Sequence, residues 1–545
     1  MAGTLHHAAP APPRTTPGAR NDRHVPSLGG YAQSRARPSP KDVAVHPLSR
    51  RRLAVPLLLA LASPALLTTP AAAGTTPDTT AFLDAVTVDG ITEHLLALQG
   101  IAEANDGNRA SGSSGYDASA AYVAERLTAA GYRVSTQEFT FSAFREVEPA
   151  SFARTAPTAR SYGAEDFAVM EYSGSGEVTA AVTPVDLTLP PPAEPGSTSG
   201  CEAADFAGFP GGTVALVQRG TCDFATKAGN AQAAGAAAVV VFNEGQEGRT
   251  DVVAGTLGGP GITIPVLGAS FAVGQELAAP ESAVAIRTST RVDEETTSNV
   301  IADSPTGRTD RTVVVGAHLD SVPEGPGIND NGSGAATILE IAEEMAELGI
   351  QPRNAVRFAF WGAEESGLLG AEHYVSQLTE RQRKDIALNL NFDMLGSPNY
   401  ARFVYDGDGS DTPDAGPNGS GNIERVFLDH FAARGLAAEP TAFDGRSDYG
   451  PFIAAGIPAG GLFSGAEGVK TEEQVARYGG EAGAPYDACY HTACDDITNI
   501  NPTALDELGD AAAHATLVFA QTRSSVNGTA RAGGSGGSAG HGLAR

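Results

Sequence analysis

Basic residues are scarce in most of this chain. Of 36 Lys and Arg against 64 Asp and Glu, nine basic and two acidic residues fall within positions 1–52, so the remainder carries 27 basic and 62 acidic residues, a net of about −35. A surface of that sign repels phosphate backbones and argues against nucleic acid as a partner. Long apolar runs are lacking too. Leu53 to Ala73 carries no charge, but Pro56, Pro64 and Pro70 interrupt it and leave its apolar part too short for a stable membrane span. With Arg50-Arg51-Arg52 before it and small residues at its end, it reads as a secretory signal peptide ending near Ala73. Ser49-Arg50-Arg51 before Arg52-Leu53 also resembles a twin-arginine signal, so the export route stays open. Cysteine is sparse: the chain has four, none at the two-residue spacing of a zinc knuckle, and no His lies at finger spacing. An even count in an exported chain favours disulfides, by position Cys201 with Cys222 and Cys489 with Cys494.

What is present is enough for real cores: 545 residues, 41% of them hydrophobic. Residues 1–73 form an N-terminal extension and signal. Residues 74–140 begin with helical patterns over Ile91 to Ile101 and Tyr116 to Gly131 and end in the strand-like "YRVSTQEFTF". From 141 to 296 the texture changes to short strands, Gly/Pro turns and the loop "LPPPAEPGSTSG", with "GTVALVQRGTC…AAAVVVFNEG" reading strand, helix, strand. From 297 to 523 strands and helices alternate regularly, as in a sheet built from crossovers. The middle block therefore looks inserted into one larger α/β domain, and 524–545 is a Gly/Ser-rich tail too poor in apolar residues to fold. The fold expected is a mixed, mostly parallel central sheet flanked by helices, with a small β-rich α/β insertion.

Three apolar runs of the regular part end in potential ligands: "TVVVGAHLDS" in His318 and Asp320, "AVRFAFWGAEE" in Glu364 and Glu365, and "IALNLNFDML" in Asp393. In open α/β sheets the carboxyl ends of the strands face one crevice, so these groups can converge. Asp330 in "GINDNGSG" precedes a helix with Ser333 as expected N-cap and Gly349 as stop, and His491 lies in "CYHTACDD". Singly, an Asp before a helix is usually a turn residue and a lone His a satisfied one; His373 and His514, without acidic partners at ligand spacing, show that ordinary case. Glu364 and Glu365 are adjacent and point in different directions, so they fit two roles rather than one chelating pair.

The ordered set "HLDS", "GINDNGSG", "FWGAEE", "NFDM", "GRSDYGPF" and "CYHTACDD" resembles the secreted bacterial co-catalytic di-zinc aminopeptidases of the leucyl-aminopeptidase type, and the middle block resembles a protease-associated (PA) domain. The resemblance implies a zinc-exopeptidase fold and two Zn2+ per chain. Asp330 would bridge, His318 and Asp393 would complete one site, Glu365 and His491 the other, and Glu364 would remain free as general base. Imidazole and carboxylate donors suit zinc and leave open positions. Asp320 could accept the second N–H of His318. By resemblance Tyr490 donates to the tetrahedral oxyanion and Arg446 contributes to substrate binding. Phe463 is a candidate wall of an apolar pocket for the first side chain, and Asp506 and Asp510 could help hold a structural Ca2+. The substrates implied are peptide or protein N-termini, cut by a monomer. A carboxypeptidase or glutaminyl cyclase on the same scaffold would need a different specificity wall, and a metal-free binding protein would not need the complete ligand set found here.

Overall fold

Val313, Val314 and Val315 mark the centre of the sheet. In the computed structural model, which describes residues 78–246, 248–523 and 526, all three are buried within the strand Arg308–His318. A run apolar on both faces suits a parallel strand covered by helices on each side. Its neighbours are Asn354–Trp361 and Ile386–Phe392, both parallel to it, and Ala459–Phe463 lies parallel beyond Ile386–Phe392. Antiparallel strands flank this block: Phe403–Tyr405 on one side and Ala283–Asp303 on the other. The sheet is therefore mixed and mostly parallel at its centre, as expected.

Helices Val88–Ala104, Ser114–Ala129, Gly334–Glu347 and Pro502–Gln521 bury Leu95, Leu98, Val123, Leu339, Ile341, Leu505 and Leu508 in one large core. A smaller core joins Trp361, Tyr374 and Phe452, their rings tilted against one another. Gly349, with φ +62°, follows the helix Gly334–Glu347 as the expected stop. Ser333 stands at the N-cap position of that helix, but its side chain makes no capping bond. Its hydroxyl donates to the carbonyl of Asn329 (2.7 Å) and accepts from the N–H of Leu395 (2.8 Å), while the Asn331 side chain accepts from the N–H of Gly334 (2.9 Å).

The expected strand at Tyr132 to Phe141 is the start of a far longer one. Arg133–Ala156 pairs antiparallel with Ala283–Asp303 along nearly its whole length. Near one end of this ribbon Ala283–Asp303 pairs with Asn354–Trp361; near the other it pairs with Gly176–Pro184. From there Val214–Gln218, Ala238–Phe242 and Val266–Ala269 follow in parallel, with helix Phe224–Ala233 between the first two and helix Phe271–Leu277 after the last. These strands carry two apolar cores of their own. Disulfides join Cys201 to Cys222 and Cys489 to Cys494. Among the described residues no helix is long and apolar enough to cross a membrane. The segment expected as a signal, and the expected tail apart from Val526, lie outside the described residues.

Candidate metal centre

Strand geometry brings the acids and imidazoles together. His318 ends the central strand, Asp393 follows Ile386–Phe392, and Glu364 and Glu365 follow Asn354–Trp361, so adjacent parallel strands deliver them to one edge of the sheet. Asp330 enters from the tight turn Ile328–Ser333, and His491 from the loop closed by the Cys489–Cys494 disulfide. Ala363, Met394 and His491 all adopt left-handed backbone with φ between +53° and +57°. That region disfavours side chains bearing Cβ by about 1–2 kcal/mol per residue, and here it lies beside Glu364, beside Asp393 and at His491 itself, where it helps aim the side chains.

The distances pair the groups. Asp330 turns Oδ1 to His318 Nε2 (3.2 Å) and Oδ2 to His491 Nε2 (3.2 Å). His318 Nε2 also faces Asp393 Oδ1 at 3.3 Å, and His491 Nε2 faces Glu365 Oε2 at 3.0 Å. Two potential metal positions therefore share one carboxylate: His318, Asp330 and Asp393 at one, Asp330, Glu365 and His491 at the other. Glu364 stands farther off, 3.8 Å from His318 Nε2. Asp393 Oδ1 and Glu365 Oε1 are buried without a hydrogen-bond partner. Such orphans fit atoms meant for a cation.

The electrostatics agree. Burial pushes Glu365 up to about 7, with the charge of Asp330 adding to it, and raises Glu364 well above the usual carboxylate range. His491 is opposed by its burial, yet Glu365 and Asp330 lift it to about 11. Asp330, despite burial, is held far below its ordinary value by both imidazoles. Without a metal, protons on the histidines balance packed carboxylates; divalent cations can replace them.

The comparisons with known proteins point the same way. The profile of Peptidase family M28 matches residues 299–516, and that of the PA domain residues 178–277. An aminopeptidase of Pseudomonas aeruginosa is 49% identical over 432 residues, 78% of this chain and 80% of its own. The chain belongs to peptidase family M28. A "probable leucine aminopeptidase 2" of Aspergillus oryzae is 40% identical over 429 residues, 77% of this chain and 81% of its own. Among solved structures, BSAP, a zinc aminopeptidase from Bacillus subtilis, superposes with a TM-score of 0.56 at 25% identity, covering 79% of this chain and 94% of that one. The enzyme is thus a metallo-exopeptidase of the aminopeptidase type that carries a PA domain.

Around the peptidase's acid cluster lies a cleft walled by Met394, Tyr405, Ala442, Phe463 and Ala466, with Arg446 and Tyr490 also lining it. Phe463 thus lines the same cleft as the acid cluster. Tyr490 stacks on the His491 ring, centroids 3.8 Å apart, and its hydroxyl accepts a 3.3 Å bond from Arg446, which is paired with Glu467 at 2.7 Å. Burial raises the Tyr490 hydroxyl well above its ordinary pKa, which favours its protonated form.

Asp320 departs from expectation. His318 Nδ1 donates to the backbone carbonyl of Asp320 (3.1 Å), with the Asp320 carboxylate at 3.6 Å. A carbonyl only accepts, so this bond places a hydrogen on Nδ1, while Nε2 faces Asp330 and Asp393. The Asp320 carboxylate instead accepts the N–H of Glu364 (3.3 Å). Asp510 is paired with Arg434 at 2.6 Å and Asp506 is exposed; among the described residues neither joins a third potential ligand. His373 stacks on Phe139 and His514 faces Thr79, both away from the cleft.

Two site residues escaped the sequence reading. Ser447 donates to Asp393 Oδ2 and accepts from Asn391 (2.8 Å), which fixes the carboxylate that faces His318. Asp448, buried with neither oxygen hydrogen-bonded, is pushed well above the carboxylate range by that burial. Both sit in "GRSDYGPF", where Arg446 drew attention to the exposed end of the motif.

Proposed function

We propose that the enzyme is a secreted di-zinc aminopeptidase that removes N-terminal apolar, leucine-like residues from peptides. The observation that carries this is Asp330, whose two oxygens face two different imidazoles, each with a further carboxylate beside it. His318, Asp330 and Asp393 would hold one zinc, and Asp330, Glu365 and His491 the other. Zinc bound there supplies Lewis acidity toward the scissile carbonyl and lowers the pKa of water at the site.

The remaining chemistry belongs to side chains. Glu364, farther from His318 than the bridging and terminal carboxylates, accepts the proton of the attacking water and returns it to the departing amine. Tyr490 donates to the oxyanion, and Arg446, bonded to the Tyr490 oxygen, turns that hydroxyl hydrogen toward the cleft. Phe463 and Met394 receive the first side chain. The zinc in the name of the Bacillus subtilis neighbour and the leucine in that of the Aspergillus oryzae relative support metal and preference. Residues 141–296 form the inserted unit in this reading, and the Arg-led apolar segment ending near Ala73 supports export. Calcium at Asp506 and Asp510 is not included, because Arg434 already neutralises Asp510.

Hydrolysis of a panel of aminoacyl-nitroanilides, with and without a chelator, tests the reading. Fast, chelator-sensitive release from Leu and none from N-acetyl-Leu is expected. Equal rates on blocked and free substrates, or chelator-resistant hydrolysis, would overturn it.

A further inference from the structure

Two buried charges that line no part of the cleft grip the turn carrying Asp330 from opposite sides. Arg109 is fully buried, and its guanidinium reaches only backbone carbonyls: Nε donates to Pro326 (2.9 Å), Nη2 to Gly327 (2.6 Å) and Nη1 to Leu319. Its own N–H donates to Ser321 Oγ at 2.9 Å. The fork therefore spans the stretch from His318 to Asp330, gathering carbonyls from both ends. Gly327 must be glycine for this: its φ is +60°, and a Cβ there would meet the Asp330 carbonyl at 2.4 Å and Ser321 Cβ at 2.5 Å.

From the other side Asp495 takes the amides. Its Oδ1 accepts the N–H of Asn329 (2.8 Å), its Oδ2 that of Asp330 (2.9 Å), and its carbonyl that of Ile328 (3.0 Å). Asn499 donates to the same carboxylate at 3.1 Å, and Asp487 fixes the Asn329 side chain at 2.6 Å. Asp495 directly follows Cys494, in the loop that carries His491, so one residue ties the Asp330 backbone to the His491 loop.

We propose that Arg109 and Asp495 form a two-sided clamp, a pair of positioning residues that set the rotation of the Asp330 turn and so let its carboxylate serve both imidazoles. The assignment rests on the di-zinc function proposed above. A planar five-donor fork on one side and a bidentate acceptor on the other leave the turn little freedom to rotate. A clamp at this depth acts on metal affinity and turnover, and touches no substrate.

The test uses the full mature enzyme and the variants Asp495→Asn, Arg109→Lys and Arg109→Met. Zinc affinity is measured by chelator competition, kcat and KM on Leu-nitroanilide per folded molecule, and melting temperature on the same preparation. Asn keeps the shape of Asp495 but presents an NH2 group where an amide N–H must be accepted. Zinc affinity should fall about 10–100-fold, the size found for partners that orient metal ligands, with kcat reduced and KM within about twofold. Arg109→Lys should retain folding and part of the affinity, and Arg109→Met should lose more than Arg109→Lys. If Arg109→Met does not fold, Asp495→Asn decides alone. Wild-type zinc affinity and kcat in Asp495→Asn, whatever its melting temperature, would overturn the clamp. Wild-type enzyme that holds fewer than two zinc ions at full activity would instead overturn the di-zinc function.

Discussion

At the residue scale the decisive question is how two adjacent glutamates differ. Glu365 lies 3.0 Å from His491, while Glu364 stands 3.8 Å from His318, its backbone held by Asp320. Glu364→Ala should keep both metals and lose at least about 10²-fold in turnover, the typical size of general-base catalysis. Glu365→Ala should lose metal. Parallel metal analysis and kinetics decide; equal metal retention with similar activity loss in both would refute the division. The histidines give a pH prediction. Against their burial, carboxylates raise His318 well above its ordinary value and His491 to about 11, which favours the protonated rings in the metal-free protein. Zinc must displace those protons, and its apparent affinity should therefore rise with pH between about 6 and 9, with proton release on binding. Calorimetry in buffers of different ionisation enthalpy reads this directly, and a pH-independent affinity would contradict it.

Elements carry the aim of these side chains. The loop between Cys489 and Cys494, five positions apart, holds Tyr490 and His491. Chain-entropy arguments give about 3 kcal/mol for a 15-residue loop and less for a shorter one. Changing both cysteines to Ser should therefore lower the melting temperature modestly. Zinc affinity and turnover should fall more, because a displacement near 1 Å can cost on the order of 10²-fold in rate. A large melting shift with unchanged zinc affinity and turnover would make the disulfide a plain staple. The elements were also where sequence was most and least readable. Val313 to Val315, Phe358 to Trp361 and Leu388 to Phe392 announce buried strands by composition alone, so the convergence of His318, Glu364, Glu365 and Asp393 could be anticipated. Local patterns say nothing of partners far away in the chain. The ribbon from Arg133 to Ala156 takes its register from residues up to 170 positions later, and Arg109, on a short loop, grips carbonyls more than 200 positions on. Ser333 reads as a cap because its type favours caps; burial redirects its hydroxyl to Asn329.

At the scale of the whole molecule, the ribbon links the end of the sheet that carries the acid cluster to the PA-domain strands. None of the potential ligands comes from 141–296, yet charges there lie within electrostatic reach of the site: Glu171 feels His491, and Arg219 feels Arg446. The register pairs Phe144 with Val292, so a tight turn joining those strands can replace the insert without disturbing the pairing that precedes it. The shortened enzyme should hydrolyse Leu-nitroanilide within a few-fold of wild type and change its KM for long peptides. A folded deletion variant that binds zinc but has no activity on the small substrate would show that the insert completes the site. The most direct test of the central claim, one carboxylate shared between two metals, is zinc titration of the metal-free mature enzyme with activity and elemental content measured at each step. Full activity is predicted only as the second equivalent binds, and Asp330→Asn should weaken both equivalents together. Full activity at one zinc per chain, or an Asp330→Asn variant that holds both zinc ions as wild type does, would contradict it.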